Sequence, residues 1–178
     1  MKERMNQLTD LLNEANYKYY VLDNPDMPDF EYDRLLRELE NLEAKYPQFV
    51  QPDSPTLRVG GQALSKFEKV NHPVPLMSLQ DVFSVEELDE FIDKIQVSHP
   101  NAVFTVEPKI DGLSVSLEYR DSVLVRASTR GDGFVGEDVT NNIKTIMSVP
   151  LRLNVDVPYL EVRGEVFMSK RTFAELNE

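Results

Sequence analysis

The stretch TVEPKIDGLSVSLEYR, residues 105–120, sets the expectations for both the fold and the chemistry of this chain. In its second half apolar residues alternate with polar ones, at Leu113, Val115, Leu117 and Tyr119. This alternation is typical of a β-strand that buries one face in a core. Residues 103–107 predict a preceding strand, which would place Lys109 at its end.

The tetrapeptide KIDG, residues 109–112, contains a candidate nucleophile. A lysine that has lost its proton can form a phosphoramidate at a phosphorus centre. In an extended segment Glu107 and Asp111 would point to the same side as Lys109, and Gly112 would let the backbone turn or approach a ligand closely. The tetrapeptide alone is a weak signal, because a solvated lysine followed by an Asp-Gly turn accounts for it equally well.

The N-terminal part of the sequence predicts two helices. Residues 2–22 carry apolar side chains three and four positions apart, and a proline-rich turn ends this helix. A second amphipathic helix is predicted from Asp29 to about Tyr46, before Pro47. Together they would form a helical hairpin. The irregular, Pro- and Gly-containing stretch that follows predicts a domain boundary near residue 65.

The second part of the sequence predicts an α+β unit with an antiparallel sheet. Ser84 and Glu87 have capping-box spacing, so we predict a helix from there to about Val97. Three strands are predicted after Gly112, over residues 113–119, 123–129 and 159–168. Two further helices are predicted, a short one over residues 136–144 and one that Ser169 caps.

The amino-acid composition argues against several kinds of site and partner. The chain has 178 residues and no cysteine, which excludes disulfides, thiolate metal sites and cysteine nucleophiles. The two histidines, His72 and His99, lie far apart and make no zinc-binding spacing. A formal net charge of −12 argues against a nucleic-acid clamp, since duplex DNA is bound through neutralised phosphates. There is neither an apolar run near the ~20 residues that cross a bilayer nor an apolar signal region. We therefore expect a cytoplasmic protein with no membrane partner.

Several short motifs occur in a fixed order and together resemble the adenylation region of bacterial NAD-dependent DNA ligases. They are YY (19–20) with DFEYD (29–33), PDSPT (52–56), PLMSL (75–79), EPKIDG (107–112), TRGDG (129–133), GEDVTNN (136–142) and EVRGEVF (161–167). The resemblance covers essentially the whole chain. It implies a helical hairpin domain with linker (residues 1–65), followed by an incomplete antiparallel-sheet nucleotidyltransferase domain (residues 66–178) of the ATP-grasp-like ligase type.

The resemblance implies an enzyme that first adenylylates itself. Lys109 would attack the α-phosphorus of NAD, keep AMP on its nitrogen and release nicotinamide mononucleotide. The residues implied on the AMP side are Ser78, Leu79, Glu107, Asp111, Gly112, Arg130 and Glu165. Among them, Glu107 would read the adenine region, Arg130 the ribose and phosphates, and Glu165 the ribose. Mg²⁺ would draw charge off the phosphates, and Asp111 would either orient the lysine or help to hold that ion.

Without the resemblance, these residues have simpler interpretations. Arg130 is as readily a surface arginine beside a turn, and Ser78 and Leu79 an ordinary loop entry. Glu165 would share one strand face with Glu161 and Arg163, as in a salt-bridged sheet surface.

The helical hairpin is the distinguishing part of the resemblance. Five residues match the positions that recognise the nicotinamide mononucleotide half of NAD: Tyr19, Tyr20, Asp29, Tyr32 and Asp33. An aromatic face stacks on a cationic pyridinium ring, and aspartates bond ribose hydroxyls and offset positive charge. Tyr20 stands where a histidine is common in the family. The alternative is that the tyrosines simply pack the hairpin.

Two other functions stay open on the sequence alone. An ATP-dependent ligase or RNA-capping enzyme shares the K-x-D-G pattern but needs no nicotinamide-binding hairpin. The other is a chemically idle nucleotide-binding fragment, because the sequence ends before the family's later phosphate-binding motifs and DNA-binding domains. We therefore expect a fragment of a larger ligase that contacts NAD, NMN or AMP. Alone, it would bind nicked duplex DNA weakly or not at all and would not seal nicks.

Overall fold

Helices and antiparallel strands make up the computed structural model, which describes residues 1–58, 67–79 and 81–177. The helices are α1 (Lys2–Tyr20), α2 (Asp29–Lys45), α3 (Val85–Ser98), α4 (Thr140–Lys144) and α5 (Lys170–Leu176). The strands are β1 (Lys69–Asn71), β2 (Leu113–Arg120), β3 (Val123–Thr129), β4 (Val135–Glu137) and β5 (Tyr159–Val166). The predicted α+β class is confirmed at this level, whereas the predicted boundary near residue 65 lies outside the described residues. In the described ranges, no helix is long and apolar enough to span a bilayer.

The hairpin of α1 and α2 has its own hydrophobic core. Met5, Leu8 and Leu12 of α1 pack against Leu35 and Leu39 of α2, and all five side chains are buried. Their spacing of three and four residues puts them on one stripe of each helix. Burial of such side chains contributes roughly 1.5–3 kcal/mol each. The hairpin therefore holds the residues beside its turn in a defined place.

The segment that follows the hairpin fastens it to the rest of the chain. Asp53, which is 2% exposed, pairs with Arg152 at 2.5 Å between Oδ2 and Nε. Arg58 donates to two carbonyl groups in the loop after α4, at 3.1 and 3.0 Å. The Ser54 hydroxyl donates to Glu43 of α2 at 2.6 Å. The PDSPT motif thus has a structural role at this junction.

Strand β2 lies in the centre of a three-stranded antiparallel sheet with the order β3–β2–β5. A two-residue turn joins β2 to β3 with positive φ at Asp121 (47°) and Ser122 (65°), a geometry that tight hairpins favour. One face of the sheet is apolar, and its buried cluster consists of Val115, Tyr119, Leu124, Ala127, Val139, Ile143 and Leu151. The Tyr119 hydroxyl donates to the Pro150 carbonyl at 2.9 Å, and burial raises the pKa of Tyr119 to about 12. The opposite face is polar.

Strands β1 and β4 form a second, two-stranded antiparallel sheet, in which Val70 pairs with Gly136. The helix predicted over residues 136–144 is therefore wrong in its first half, and α4 begins only at Thr140. Backbone pairing with β1 holds residues 135–137 extended, and β1 itself had no clear signal in the sequence. The local pattern could not reveal a partner more than sixty residues away.

The strand predicted over residues 103–107 is also wrong. Residues 102–111 form neither helix nor strand, and no described strand pairs with them. Val103 is 92% exposed and Val106 is 98% exposed. A strand is stabilised by hydrogen bonds to a neighbour and by side-chain contacts across it, and this segment has neither among the described residues.

Candidate functional site

The polar face of the three-stranded sheet is lined by paired charged and hydroxyl groups. Across β2 and β5, Ser114 faces Glu165, Ser116 faces Arg163, and Glu118 faces Glu161. Glu118 is only 3% exposed and accepts from Nε of Arg126 at 2.7 Å. Glu161 accepts from the Ser116 hydroxyl at 2.9 Å and lies 3.4 Å from Nε of Arg163. The simpler prediction of a salt-bridged sheet surface is confirmed for Glu161 and Arg163.

Glu165 links β5 to the end of the KIDG motif. One carboxylate oxygen accepts the N–H of Gly112 at 3.1 Å, and the other accepts the Ser114 hydroxyl at 2.8 Å. A Cβ atom added at Gly112 would lie 2.3 Å from the carbonyl oxygen of Val166. Gly112 is therefore required for the close approach of two protein segments. The sequence had predicted a backbone turn or a close approach to a ligand at this position.

Lys109 lies in the irregular segment before β2, not at the end of a strand as predicted. Lys109, Glu107 and Asp111 are exposed, and of the described residues none forms an ion pair or a side-chain hydrogen bond with them. The argument that alternation places the three on one side does not apply, because the segment is not a strand. Three residues of chain keep the Lys109 backbone within roughly 10 Å of Gly112. The lysine therefore lies near the polar face but is not fixed against it.

Arg130 and Ser78, both predicted on the AMP side, meet at the edge of the polar face. The Arg130 guanidinium donates from Nη1 to the Ser78 hydroxyl at 3.2 Å, and the Arg130 N–H donates to the Ser114 carbonyl at 2.9 Å. A ring nitrogen of His72 lies 3.2 Å from the Arg130 carbonyl oxygen. Leu79 is 76% exposed. Arg130 is thus more than an isolated surface residue, since it joins β2 to the segment that contains Ser78.

The loop after Arg130 is shaped by one carboxylate and two glycines. Gly131 and Gly133 have φ of 57° and 95°, which side chains with a Cβ rarely adopt. The Asp132 carboxylate accepts the N–H groups of Val135 at 2.8 Å and Phe134 at 2.9 Å. These hydrogen bonds lower the pKa of Asp132, because they favour its charged form.

The helical hairpin brings all five predicted mononucleotide-binding residues around one pocket of about 340 Å³. Its lining residues are Ala15, Asn16, Tyr19, Tyr20, Pro25, Met27, Asp29, Tyr32 and Asp33. The Tyr19 and Tyr20 rings lie 4.7 Å apart between centroids at an interplanar angle of 59°, and both are about half exposed. The pocket therefore offers aromatic faces together with two carboxylates, Asp29 and Asp33.

Asn16, which is buried, and Tyr32, which is partly buried, both line this pocket. Burial raises the pKa of Tyr32, and the neighbouring Asn16 amide and Arg58 oppose that rise. Asn16 is 5% exposed, and its Nδ2 has no hydrogen-bond partner among the described residues. Asn16 was not among the predicted residues, although it lies one helical turn before Tyr19 and Tyr20.

The acidic and histidine side chains of the described residues do not form a preformed metal site. Within residues 1–58, 67–79 and 81–177, no three His, Asp or Glu side chains come together in a way that could hold a metal ion. Magnesium usually takes one or two carboxylates together with substrate phosphates. The described residues alone therefore do not fit a protein-made magnesium cage, and the role considered for Asp111 receives no support from a second carboxylate.

Comparison with known proteins matches nearly the whole chain to one family. Residues 1–60 match the family model for the DNA ligase-like, N-terminal NAD+-binding domain, and residues 64–178 match the model for the NAD-dependent DNA ligase adenylation domain. The DNA ligase of Acetivibrio thermocellus is 54% identical over 179 residues, that of Carboxydothermus hydrogenoformans 50% over 180, and that of Caldicellulosiruptor bescii 52% over 180. Each alignment covers 100% of this chain and 27% of the relative.

Proposed function

This chain belongs to the NAD-dependent DNA ligase family, and we propose that its Lys109 accepts AMP from NAD. The deprotonated Nζ attacks the α-phosphorus, a nitrogen–phosphorus bond forms, and the bond from phosphorus to the bridging pyrophosphate oxygen breaks. Nicotinamide mononucleotide leaves with that electron pair, and the amine proton passes to solvent. The product is AMP held on Lys109 as a phosphoramidate.

The observation that carries this proposal is the convergence of five predicted residues on the hairpin pocket. Tyr19 and Tyr20 come from the end of α1, whereas Asp29, Tyr32 and Asp33 come from the first turns of α2. Exposed tyrosine rings suit a cationic pyridinium ring, and the two aspartates suit ribose hydroxyls. A donor without a nicotinamide, such as ATP, would leave this pocket unused.

Contacts on the polar sheet face support a site for the adenylate half. Glu165 accepts hydrogen bonds from Ser114 of β2 and from Gly112 just before it. The Arg130 N–H donates to the Ser114 carbonyl. Glu165 is proposed to bond the ribose, Arg130 to contact the ribose and phosphates, and Ser78 and Leu79 to form the wall of the pocket. The planar, forked guanidinium suits phosphate and ribose oxygens. Glu107 is proposed to contact the adenine region.

Proton loss is the main chemical requirement on the nucleophile. A free lysine amine has a pKa near ~10.4, so attack at neutral pH needs the neutral form to be favoured or a proton to be removed during attack. A carboxylate cannot supply this by its charge, since a negative charge favours the charged form of an amine, so Glu107 and Asp111 are not proposed to activate the nucleophile. We therefore propose that they orient the lysine and the nucleotide. When bound with the nucleotide, Mg²⁺ would reduce the charge on the phosphates, and no residue of this chain is assigned as its ligand.

The larger reaction proposed for the whole protein is the joining of a 5′-phosphate and a 3′-hydroxyl at a nick in duplex DNA. The chain spans 27% of the length of the curated relatives that it matches, and its net charge of −12 does not favour a phosphate backbone. We infer that DNA contacts lie mainly outside these residues. We also infer a two-part organisation, residues 1–65 and 66–178, with the ATP-grasp-like ligase adenylation fold in the second part. A nick-sealing assay with the purified 178-residue chain is expected to give no ligated product.

The proposal is tested by the intact mass of the purified chain after incubation with NAD and Mg²⁺, or with ATP and Mg²⁺. An AMP adduct is expected with NAD only. Lys109→Arg keeps the positive charge but removes the nucleophile, so it should give no adduct. Lys94→Arg on α3 is the matched control and should react like the wild type. An adduct that forms equally with ATP would favour the ATP-dependent alternative, and no adduct with either donor would favour a chemically idle nucleotide-binding fragment.

A further inference from the structure

Arg163 connects the polar sheet face to the segment that precedes Ser78. Its guanidinium donates from Nη1 to the Pro75 carbonyl at 3.2 Å and from Nη2 to the Val74 carbonyl at 3.1 Å. Its Nε lies 3.4 Å from a carboxylate oxygen of Glu161, which helps to fix the plane of the fork. A lysine could not reproduce this double contact, since its ammonium group is a point donor on a flexible stem.

The segment over residues 72–79 depends on such contacts because it forms neither helix nor strand. Pro73 and Pro75 have no N–H group to donate to a neighbouring strand. The N–H of Leu76 donates to the Gly133 carbonyl at 2.9 Å, which anchors the segment to the loop after β3. On the other side, the carbonyls before Leu76 are satisfied by the Arg163 side chain. The segment is therefore held from two directions.

We propose that Arg163 is a positioning residue that fixes Ser78 and Leu79 at the edge of the polar face, where the adenylate half of NAD binds. This inference rests on the proposed function. Arg163 acts through the backbone of residues 74–75 and does not need to touch the nucleotide. Arg130 holds the far end of the same segment through the Ser78 hydroxyl at 3.2 Å. Without Arg163, this wall would be held only by the single hydrogen bonds of Leu76 and Ser78, which would then open more often.

The test compares Arg163→Lys and Arg163→Gln with Arg120→Gln as a matched control. Arg120 is another arginine of the same sheet, at the end of β2, where its guanidinium lies over the Tyr159 ring at 5.5 Å. Hydrogen exchange is measured without nucleotide at the Leu76 amide, whose N–H donates to the Gly133 carbonyl. Exchange there is expected to be ~10-fold faster or more in both Arg163 variants, and unchanged in the control. Amides of β2 should exchange as in the wild type, which distinguishes local loosening from unfolding.

The second readout is AMP binding by calorimetry. A displaced wall is expected to weaken AMP binding by roughly 10-fold or more in both Arg163 variants, with binding of free nicotinamide mononucleotide unchanged. Unchanged exchange at the Leu76 amide would overturn the proposal, even with weaker AMP binding, because a direct contact to the nucleotide would then explain the loss. Faster exchange with unchanged AMP affinity would also overturn it. A failure of the proposed function is recognised separately, since the wild-type chain would then bind no AMP and the inference would fall with it.

Discussion

The hairpin pocket and the segment around Lys109 represent two ways of building a functional site. The five predicted residues of the hairpin surround one pocket above a buried core, whereas Lys109 lies on an exposed segment without side-chain partners in the described residues. The hairpin closes through contacts between two helices that are adjacent in sequence. The Lys109 segment can be ordered only by groups distant in sequence or by the ligand. The structure therefore orders the pocket proposed for the mononucleotide half of NAD more completely than the segment that contains the proposed nucleophile.

The largest expected effect is the difference in unfolding free energy between a variant in the hairpin core and a variant in the Lys109 segment. Leu8→Ala removes a side chain that is 0% exposed in the hairpin core, so we expect the free energy of unfolding to fall by roughly 2–5 kcal/mol. Val106→Ala truncates a side chain that is 98% exposed and should change it by less than ~0.5 kcal/mol. Urea denaturation followed by circular dichroism measures both. An equally costly Val106→Ala would show that the Lys109 segment is packed in solution and would remove the contrast.

A second pair of variants tests the attachment of the KIDG motif to the sheet. Gly112→Ala would place a methyl group 2.3 Å from the Val166 carbonyl oxygen, and we expect a loss of roughly 1–3 kcal/mol as the backbone shifts. Gly164→Ala on β5 is the control, because no atom lies within 4 Å of the added Cβ. Its unfolding free energy should stay within ~0.5 kcal/mol of the wild type. Equal losses at both glycines would show that the close approach to Val166 is not what makes Gly112 necessary.

A third prediction concerns ligand binding at the hairpin. Tyr19→Ala removes one of the exposed rings of the pocket and should weaken binding of nicotinamide mononucleotide by roughly 3- to 30-fold, the equivalent of a cation–π contact. Phe30→Ala is the control, since Phe30 is 74% exposed on α2 and does not line this pocket. Titration by calorimetry measures both, and AMP binding should be unchanged in each. If both variants bind the mononucleotide as the wild type does, the tyrosines only pack the hairpin.

The smallest expected effect lies in the loop beside the polar face and depends on pH. Hydrogen bonds from Val135 and Phe134 hold the pKa of Asp132 below its ordinary value of 3.8. The unfolded chain therefore binds this proton more readily, so the carboxylate stabilises the folded state above pH ~4 and ceases to do so as pH falls through the folded pKa. Asp132→Asn keeps an acceptor but removes the charge. The difference in denaturation midpoint between wild type and variant should be present at neutral pH and should close below pH ~4. A difference that does not vary with pH would contradict this assignment.

Much of the fold could be predicted from the sequence where the determinants are local. Periodicity predicted α1 and α2, alternation predicted β2, and the Ser84 and Ser169 caps accept the N–H groups of Glu87 and Thr172 as their spacing indicates. The pairing of β1 with β4 could not be predicted, because it joins short segments far apart in the chain. The prediction of a strand over residues 103–107 was wrong because a strand needs a neighbouring strand, and none of the described strands pairs with this segment. Arg163 could be placed on the correct strand face, but its bonds to residues 74–75 have no signature in the local sequence.

Whether Lys109 is the nucleophile is tested by locating the AMP on the chain. The purified protein is incubated with NAD and Mg²⁺, digested, and the peptides are fragmented in a mass spectrometer to find the modified residue. We expect AMP on the peptide that contains Lys109, attached to Lys109 itself. AMP on any other residue, or an adduct of unchanged yield in Lys109→Arg, would contradict the central claim.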